Sequence, residues 1–168
     1  AAGVWSKGLA RGLGVWLPLE PAKGYSVMVE RPEGVPDDLA LYLPEGHACV
    51  TPFRHYLRLA GTLELSGMND HVLTNRVAAI RRGAGRYFFG VEPAPPTGLW
   101  RGLRPMSPDG LPIIGRPRGW ENLVVATGHC MNGIMYGPVT GKLVADIVAG
   151  RTPSVDLSRL TPDRFSLL

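Results

Sequence analysis

The sequence predicts an α+β fold: a mixed, largely antiparallel sheet with flanking helices, and a separate strand–helix unit near its end. Three observations carry this. Residues 56–65, YLRLAGTLEL, alternate apolar and polar, as an antiparallel strand with one covered face does. Residues 122–150 pass from a short apolar run through a glycine-rich turn into an amphipathic helix. The 22 glycines and 16 prolines among 168 residues favour short elements joined by many turns.

The elements follow in order. Residues 1–6 read as the tail of a strand entering a turn, and 9–14 as a short segment broken by glycine. Pro18, Pro21 and Gly24 interrupt the next stretch, so a strand is expected only over 25–29. A polar Pro/Gly loop covers 31–38. Strands are expected over 39–43 and 48–53, with Pro44-Glu45-Gly46-His47 turning the chain between them. In the strand 56–65, Leu57, Leu59, Leu63 and Leu65 share the covered face, and Arg58, Thr62 and Glu64 the other. Gly61 in its middle marks a bulge or a close backbone approach. Asn69 and Asp70 are placed to cap a helix that buries Val72, Leu73, Val77 and Ile80 and ends at Gly83. A strand over 87–91, a proline-rich connector over 92–98 and two apolar segments, 99–104 and 111–114, come next. The last two flank a Ser107-Pro108-Asp109-Gly110 turn.

Residues 123–126 are continuously apolar, which suits a strand buried on both faces. Val139, Leu143 and Ile147, with Val144 and Val148 beside them, form one helical stripe. Pro138 suits its first turn and Gly150 the residue just past its end. Gly128, Gly133, Gly137 and Gly141 leave a strip without Cβ atoms, where a flat group or another backbone can approach. Their spacing is not G-x-G-x-x-G, so the strip alone is not a nucleotide-binding loop. Residues 151–168 read as a polar tail.

Composition excludes several classes. Hydrophobic residues make up 45%, enough for a real core. No apolar run is long enough to span a membrane. The net charge is +4, but the arginines are scattered rather than striped, which argues against nucleic-acid binding. Two distant cysteines, Cys49 and Cys130, do not make a disulfide framework, and a reducing compartment is expected. The location expected is the cytoplasm, or peripherally the inner face of the membrane. His47, His55, His71 and His129 lack metal-ligand spacing, so no metal is expected. The opening Ala-Ala-Gly-Val-Trp-Ser, without an initiator methionine, reads as the interior of something longer.

Arg104 precedes Pro105, and a residue before proline is held extended. A guanidinium aimed in this way is a natural partner for a carboxylate, through two parallel bonds.

Residues 100–115, WRGLRPMSPDGLPIIG, resemble the G-L-R-P-x-(T/S)-x-D-G-x-P-x-I-G signature of the D-amino-acid oxidase superfamily of FAD-dependent oxidoreductases. That superfamily includes D-amino-acid dehydrogenase, glycine oxidase and sarcosine oxidase. Gly128-His129, Asn132-Gly133-Ile134, Thr140-Gly141, Ala145-Asp146 and Gly150 resemble its closing flavin motif. Ala2-Gly3-Val4-Trp5-Ser6 is similar to the A-G-x-W-S that ends a flavin-domain strand. Residues 58–64 resemble an R-x-G-G-T-x-E strand, with Ala60 in place of the first glycine, and Arg164-Phe165 its terminal R-F.

The resemblance implies FAD as cofactor and oxidative deamination of a D- or small amino acid, with hydride passing from Cα to flavin N5 and water then giving the keto acid. Arg104 would bind the substrate carboxylate. Gly3, Gly128, His129, Asn132, Gly133, Ile134 and Met135 would hold the flavin, largely by backbone contacts. The flavin carries the chemistry, so no catalytic side chain is expected, and no general base is needed when the amine enters neutral. Cys130 and Met131 stand where relatives vary, and Cys49 near where some place an active-site tyrosine.

The resemblance also implies a domain order. Residues 1–14 would end a flavin-domain strand and turn, 15–98 form the substrate-binding region, and 99–168 return to the flavin domain with its last strand–helix unit. The G-x-G-x-x-G half is absent. The chain is therefore expected to be a C-terminal portion, inactive alone, whose partners are that missing N-terminal FAD-binding half, an amino-acid or amine substrate, and a second copy of itself. Two alternatives stay open: a glycine- or sarcosine-type oxidase using oxygen, and a non-catalytic subunit.

Overall fold

β1 spans Glu20–Glu30, beginning five residues before the expected start. Pro21 lies before Lys23, the first residue of β1 that pairs with the strand Tyr56–Glu64, so its missing N–H removes no bond from that ladder. Gly24 falls where the pairing register shifts, between Lys23 and Tyr25. The remaining strands are β2 (Leu41–Leu43), β3 (Ala48–Pro52), β4 (Tyr56–Glu64), β5 (Pro96–Met106), β6 (Ile113–Gly115) and β7 (Val125–Thr127). The helices are α1 (Ser6–Gly12), α2 (Thr74–Gly85) and α3 (Gly133–Val148), with short 3₁₀ turns at Gly3–Trp5 and Pro162–Phe165. The computed structural model describes residues 2–92 and 94–165.

Two compact units emerge. One is Lys23–Gly102; the other joins Ala1–Ala22 to Leu103–Leu168. The chain crosses between them within β1 and within β5.

In Lys23–Gly102 the sheet order is β2-β3-β4-β1-β5, and β2–β3, β3–β4 and β4–β1 are antiparallel. Val27, Val29, Val50, Leu57 and Leu59 cover one face, and α2 packs Ile80 and Ala84 onto them. The alternation of β4 does not run its full length. Lys23 pairs with Glu64 but Tyr25 with Gly61, so β4 carries an extra residue there, and Thr62 has φ +70°. A Cβ on Gly61 would meet His47 O at 2.7 Å and Ile80 Cγ1 at 3.0 Å. The bulge inverts the strand beyond it: Leu63 and Leu65 are exposed and Glu64 is buried, the reverse of the expected faces.

Glu64 thereby enters a buried polar cluster. Lys23 Nζ donates to Glu64 Oε1 (3.2 Å), Asn69 Oδ1 (2.6 Å) and His71 O (2.8 Å). Tyr25 OH donates to Glu64 Oε2 at 2.7 Å and accepts from Leu73 N–H. Asn69 therefore does not cap α2. Its carboxamide oxygen serves Lys23 and the His71 N–H, and the helix starts at Thr74 with Leu73 as an extended, uncapped N-cap. Gly83 lies inside α2 rather than ending it, packed on the Gly46 carbonyl. Residues 87–91 form turns, not a strand.

The other unit has its own core of Ala10, Val15, Leu17, Leu19, Ile113 and Phe165. Its first residues are helical, not the tail of a strand, with Val4 and Ala10 buried. β6 and β7 form an antiparallel pair. β7 starts two residues later than expected, and Leu123 to Ala126 are half-buried or exposed rather than enclosed on both faces. α3 starts at Gly133, so Pro138 lies inside the helix, and only Leu143 and Asp146 of its residues are buried. The segment after 150 is anchored: Arg164 pairs with Asp109 at 2.9 and 3.0 Å, and Phe165 fills the core. Residues 166–168, the end of the expected tail, lie outside the described residues.

Candidate functional site

β7 ends at Thr127, and Gly128 turns the chain with φ +71°. A Cβ there would lie 3.3 Å from Leu19 Cδ2 and 3.4 Å from Ile113 Cγ1, so glycine relieves both conformation and space. Cys130 also takes a positive φ, +53°, which is uncommon for a side-chain-bearing residue. The turn is stitched to the end of β5. Cys130 N–H donates to Pro105 O at 3.2 Å, and Met106 pairs with His129 in an antiparallel bridge. Arg104, half-buried and extended in β5, thus stands two residues from the bridge.

His129 Nε2 lies 2.9 Å from Thr140 Oγ1 on α3. Burial pushes the imidazole pKa below its usual value, so the ring is neutral at pH 7. Asn132 N–H donates to His129 O, and Tyr136 N–H to Asn132 O, which starts the helix. The Asn132 side chain makes no capping bond. Ile134 and Met135 are 98% and 72% exposed, so the first turn of α3 presents its amides and two apolar side chains outward. A Cβ on Gly133 would meet only His129 Cβ, at 3.5 Å, and Gly137 and Gly141 have nothing within 4 Å. The glycine strip lies open along the helix.

Gly3, with φ +53°, accepts a hydrogen bond from Thr127 Oγ1 (3.4 Å) through its carbonyl. Thr127 also touches Ser6 Oγ at 3.3 Å. Gly3 and Gly128 therefore flank one threonine. At the far end of α3, Asp146 is bound by Lys142 and Arg151 at 2.8 and 2.9 Å, and these two hydrogen bonds lower its pKa. Asp109 is lowered chiefly by its bond to Arg164. The Asp109 and Asp146 of the two motifs thus serve to brace the turn after β5 and the end of α3.

Sequence reasoning missed Thr127 and the Pro105–Cys130 stitch, which join segments more than twenty residues apart. Thr140 belongs to the Thr140-Gly141 motif, but its bond to His129 follows from one further signal: the eleven-residue separation places it two turns into the helix that the histidine precedes. Among the described residues no three His, Cys, Asp or Glu side chains are grouped to hold a metal ion, and no helix is long and apolar enough to cross a membrane.

Residues 1–147 match the family model described as FAD dependent oxidoreductase. The chain belongs to the FAD-dependent oxidoreductase family. Within that family it is 35% identical over 169 residues to a D-amino acid dehydrogenase of Bradyrhizobium diazoefficiens, a match covering 99% of this chain and 39% of the relative. A glycine oxidase of Pseudomonas aeruginosa is 31% identical, with 96% and 44% covered. Among solved structures of this family fold, glycine oxidase from Geobacillus kaustophilus superposes with a TM-score of 0.86 at 30% identity, covering 98% of this chain and 44% of that one. The chain spans about two fifths of the length of the curated relatives it matches.

Proposed function

We propose that this chain is part of an enzyme that oxidatively deaminates a D-amino acid or a small amino acid, and that it supplies the substrate carboxylate site and one side of the flavin ring site. The stitching of β5 to the glycine turn carries this reading, because it holds Arg104 beside the backbone of residues 128–133. The unit Ala1–Ala22 with Leu103–Leu168 would be the flavin side, and Lys23–Gly102 the substrate-binding region.

The residues fit a flat, electron-accepting ring. Gly133, Gly137 and Gly141 present no Cβ atoms into the open strip. The amides of Gly133, Ile134 and Met135 sit at the positive end of a 16-residue helix and suit a group that gains negative charge. Gly128, His129 and Asn132 belong to the turn after β7, Gly3 adjoins it through Thr127, and His129, held neutral, brings a hydrogen bond rather than a charge. When bound, the flavin supplies the acceptor for the hydride that leaves the substrate α-carbon. Arg104 fixes the carboxylate with its planar fork and so aims the α-carbon. Two sets of relatives support two substrate choices. The relatives named glycine oxidase support glycine, and those named D-amino acid dehydrogenase support a D-amino acid. Turnover of glycine against D-alanine, with peroxide release, separates them.

Arg104 is the test. In the full-length enzyme Arg104→Lys should weaken kcat/KM by about 1.5–3 kcal/mol, the loss of one charge-assisted bond. Bound FAD should stay near the wild-type amount. An Arg104→Ala enzyme that kept kcat/KM within about twofold, well under 1 kcal/mol, would remove the carboxylate role.

A further inference from the structure

We propose that Thr140 is a positioning residue for the flavin ring site: its hydroxyl donates to Nε2 of His129 and fixes the imidazole as the Nδ1–H tautomer, a neutral donor for a carbonyl or ring nitrogen of the flavin. This rests on the reading of the glycine turn as the ring site. Every residue involved belongs to the unit of Ala1–Ala22 and Leu103–Leu168.

The main chain of His129 is fixed on both sides. It pairs with Met106 in the bridge, and its carbonyl accepts from Asn132 N–H at 2.9 Å. The side chain reaches forward to α3, where Nε2 meets Thr140 Oγ1 at 2.9 Å. What remains is the place of one proton. A neutral imidazole carries a hydrogen on one nitrogen and a lone pair on the other, and a hydroxyl can serve either. Thr140 decides which. A helical threonine can give its hydroxyl proton to the carbonyl one turn back. Thr140 makes no such bond to Tyr136; its side chain's one hydrogen bond among the described residues is to His129. On a half-buried side chain an idle hydroxyl proton is costly, so it goes to Nε2 and the ring proton to Nδ1. Burial keeps the ring neutral, as this arrangement requires. A histidine side chain left to itself favours the Nε2–H form, so Thr140 reverses an intrinsic preference. Nδ1 is the ring nitrogen nearer Cβ, and a Cβ on Gly133 would meet His129 Cβ at 3.5 Å. The donor therefore stands at the start of the glycine strip, where the ring is proposed to lie.

The test uses the full-length enzyme, labelled with nitrogen-15 in its backbone and histidine rings, with and without FAD. The ring nitrogens of His129 report the tautomer directly, because the protonated one resonates well upfield of the other. Wild type and Thr140→Ser should show Nδ1–H in both states, and Thr140→Val mainly Nε2–H without FAD. FAD should move the Nδ1 signal of the wild type. Its dissociation constant should rise about fivefold in Thr140→Val, the worth of one net hydrogen bond, and stay within about twofold in Thr140→Ser. An Nε2–H tautomer in the wild type overturns the inference whether or not any variant folds. So does a Thr140→Val enzyme that keeps the wild-type tautomer. The amides of Gly128, Asn132 and Gly133 separate this inference from the reading beneath it. If FAD moves them but leaves Nδ1 unmoved, only the role of the Thr140–His129 pair falls. If FAD moves none of them, the ring site itself is misplaced and the inference falls with it.

Discussion

Glu64 is a buried carboxylate with a full set of partners. Ser66 Oγ donates at 2.6 Å, Tyr25 OH at 2.7 Å and Lys23 Nζ at 3.2 Å, with Arg76 Nε at 3.7 Å. These bonds, the Ser66 hydroxyl first, hold its pKa down to about 2 from an ordinary 4.5. A depressed carboxylate contributes its stability above the unfolded pKa and loses it as pH falls through the folded one. The contribution should therefore be complete at pH 6 and decline between about 4.5 and 2. Lys23, 1% exposed, needs this counter-charge. Glu64→Gln should cost about 3 kcal/mol at pH 7, because it leaves a buried ammonium without its anion. Lys23→Met added to it should recover part of that loss. Urea midpoints at pH 6, 4 and 3 check both points: the slope with pH should flatten in Glu64→Gln. An unchanged slope would show that Glu64 titrates alike in the folded and unfolded chains.

Helix α2 meets the turn before β3 through two glycines. A Cβ on Gly46 would sit 2.8 Å from Gly83 O, and a Cβ on Gly83 would strike the Gly46 carbonyl. Alanine within a helix gains about 1 kcal/mol over glycine. Overpacking against a backbone that cannot swing aside costs about 1–3 kcal/mol. Gly83→Ala should therefore lower stability by about 1–2 kcal/mol and reduce Tm, as thermal unfolding by circular dichroism would register; a raised Tm would show that the turn yields. The same contact explains why Gly83, read from sequence as a helix end, is an interior residue. Local signals served well where local chemistry decides. The strand pair around Pro44-Glu45-Gly46-His47 lies where the turn residues put it, with β2 starting two residues later than expected. β4 was legible up to Gly61 and inverted beyond it, because the bulge is fixed by pairing with Lys23 and Tyr25, some forty residues away. Asn69 looked like a cap, and its oxygen went to Lys23 instead. In the candidate site the glycine turn and Arg104 were visible as motifs. The hydrogen bond and bridge that bring them together, Cys130 to Pro105 and Met106 to His129, are again non-local.

At the scale of the whole molecule the question is how much of a flavin these 168 residues can hold. A dinucleotide is normally gripped at its pyrophosphate by a strand, a G-x-G-x-x-G loop and a helix N-terminus, with an acidic residue on the ribose. Gly8 and Gly12 instead lie within α1, and Gly14 follows it with φ +72°. No strand precedes them among the described residues. On the proposed reading, Gly3, the glycine turn and the start of α3 would meet the ring end alone. Each missing charge-assisted bond to pyrophosphate or ribose is worth about 1.5–3 kcal/mol. Losing several takes a tight cofactor to about millimolar affinity or weaker. Apolar side chains such as Trp5 (60% exposed), Leu9 (66%) and Ile134 (98%) would also favour self-association. Residues 1–168 purified alone should therefore carry no FAD, oxidise no amine and sediment as a dimer or larger species. Fluorescence quenching on titration with FAD measures the first point. A dissociation constant below about 10 μM, near −7 kcal/mol, would mean that this chain holds the pyrophosphate after all, at a site other than the glycine turn.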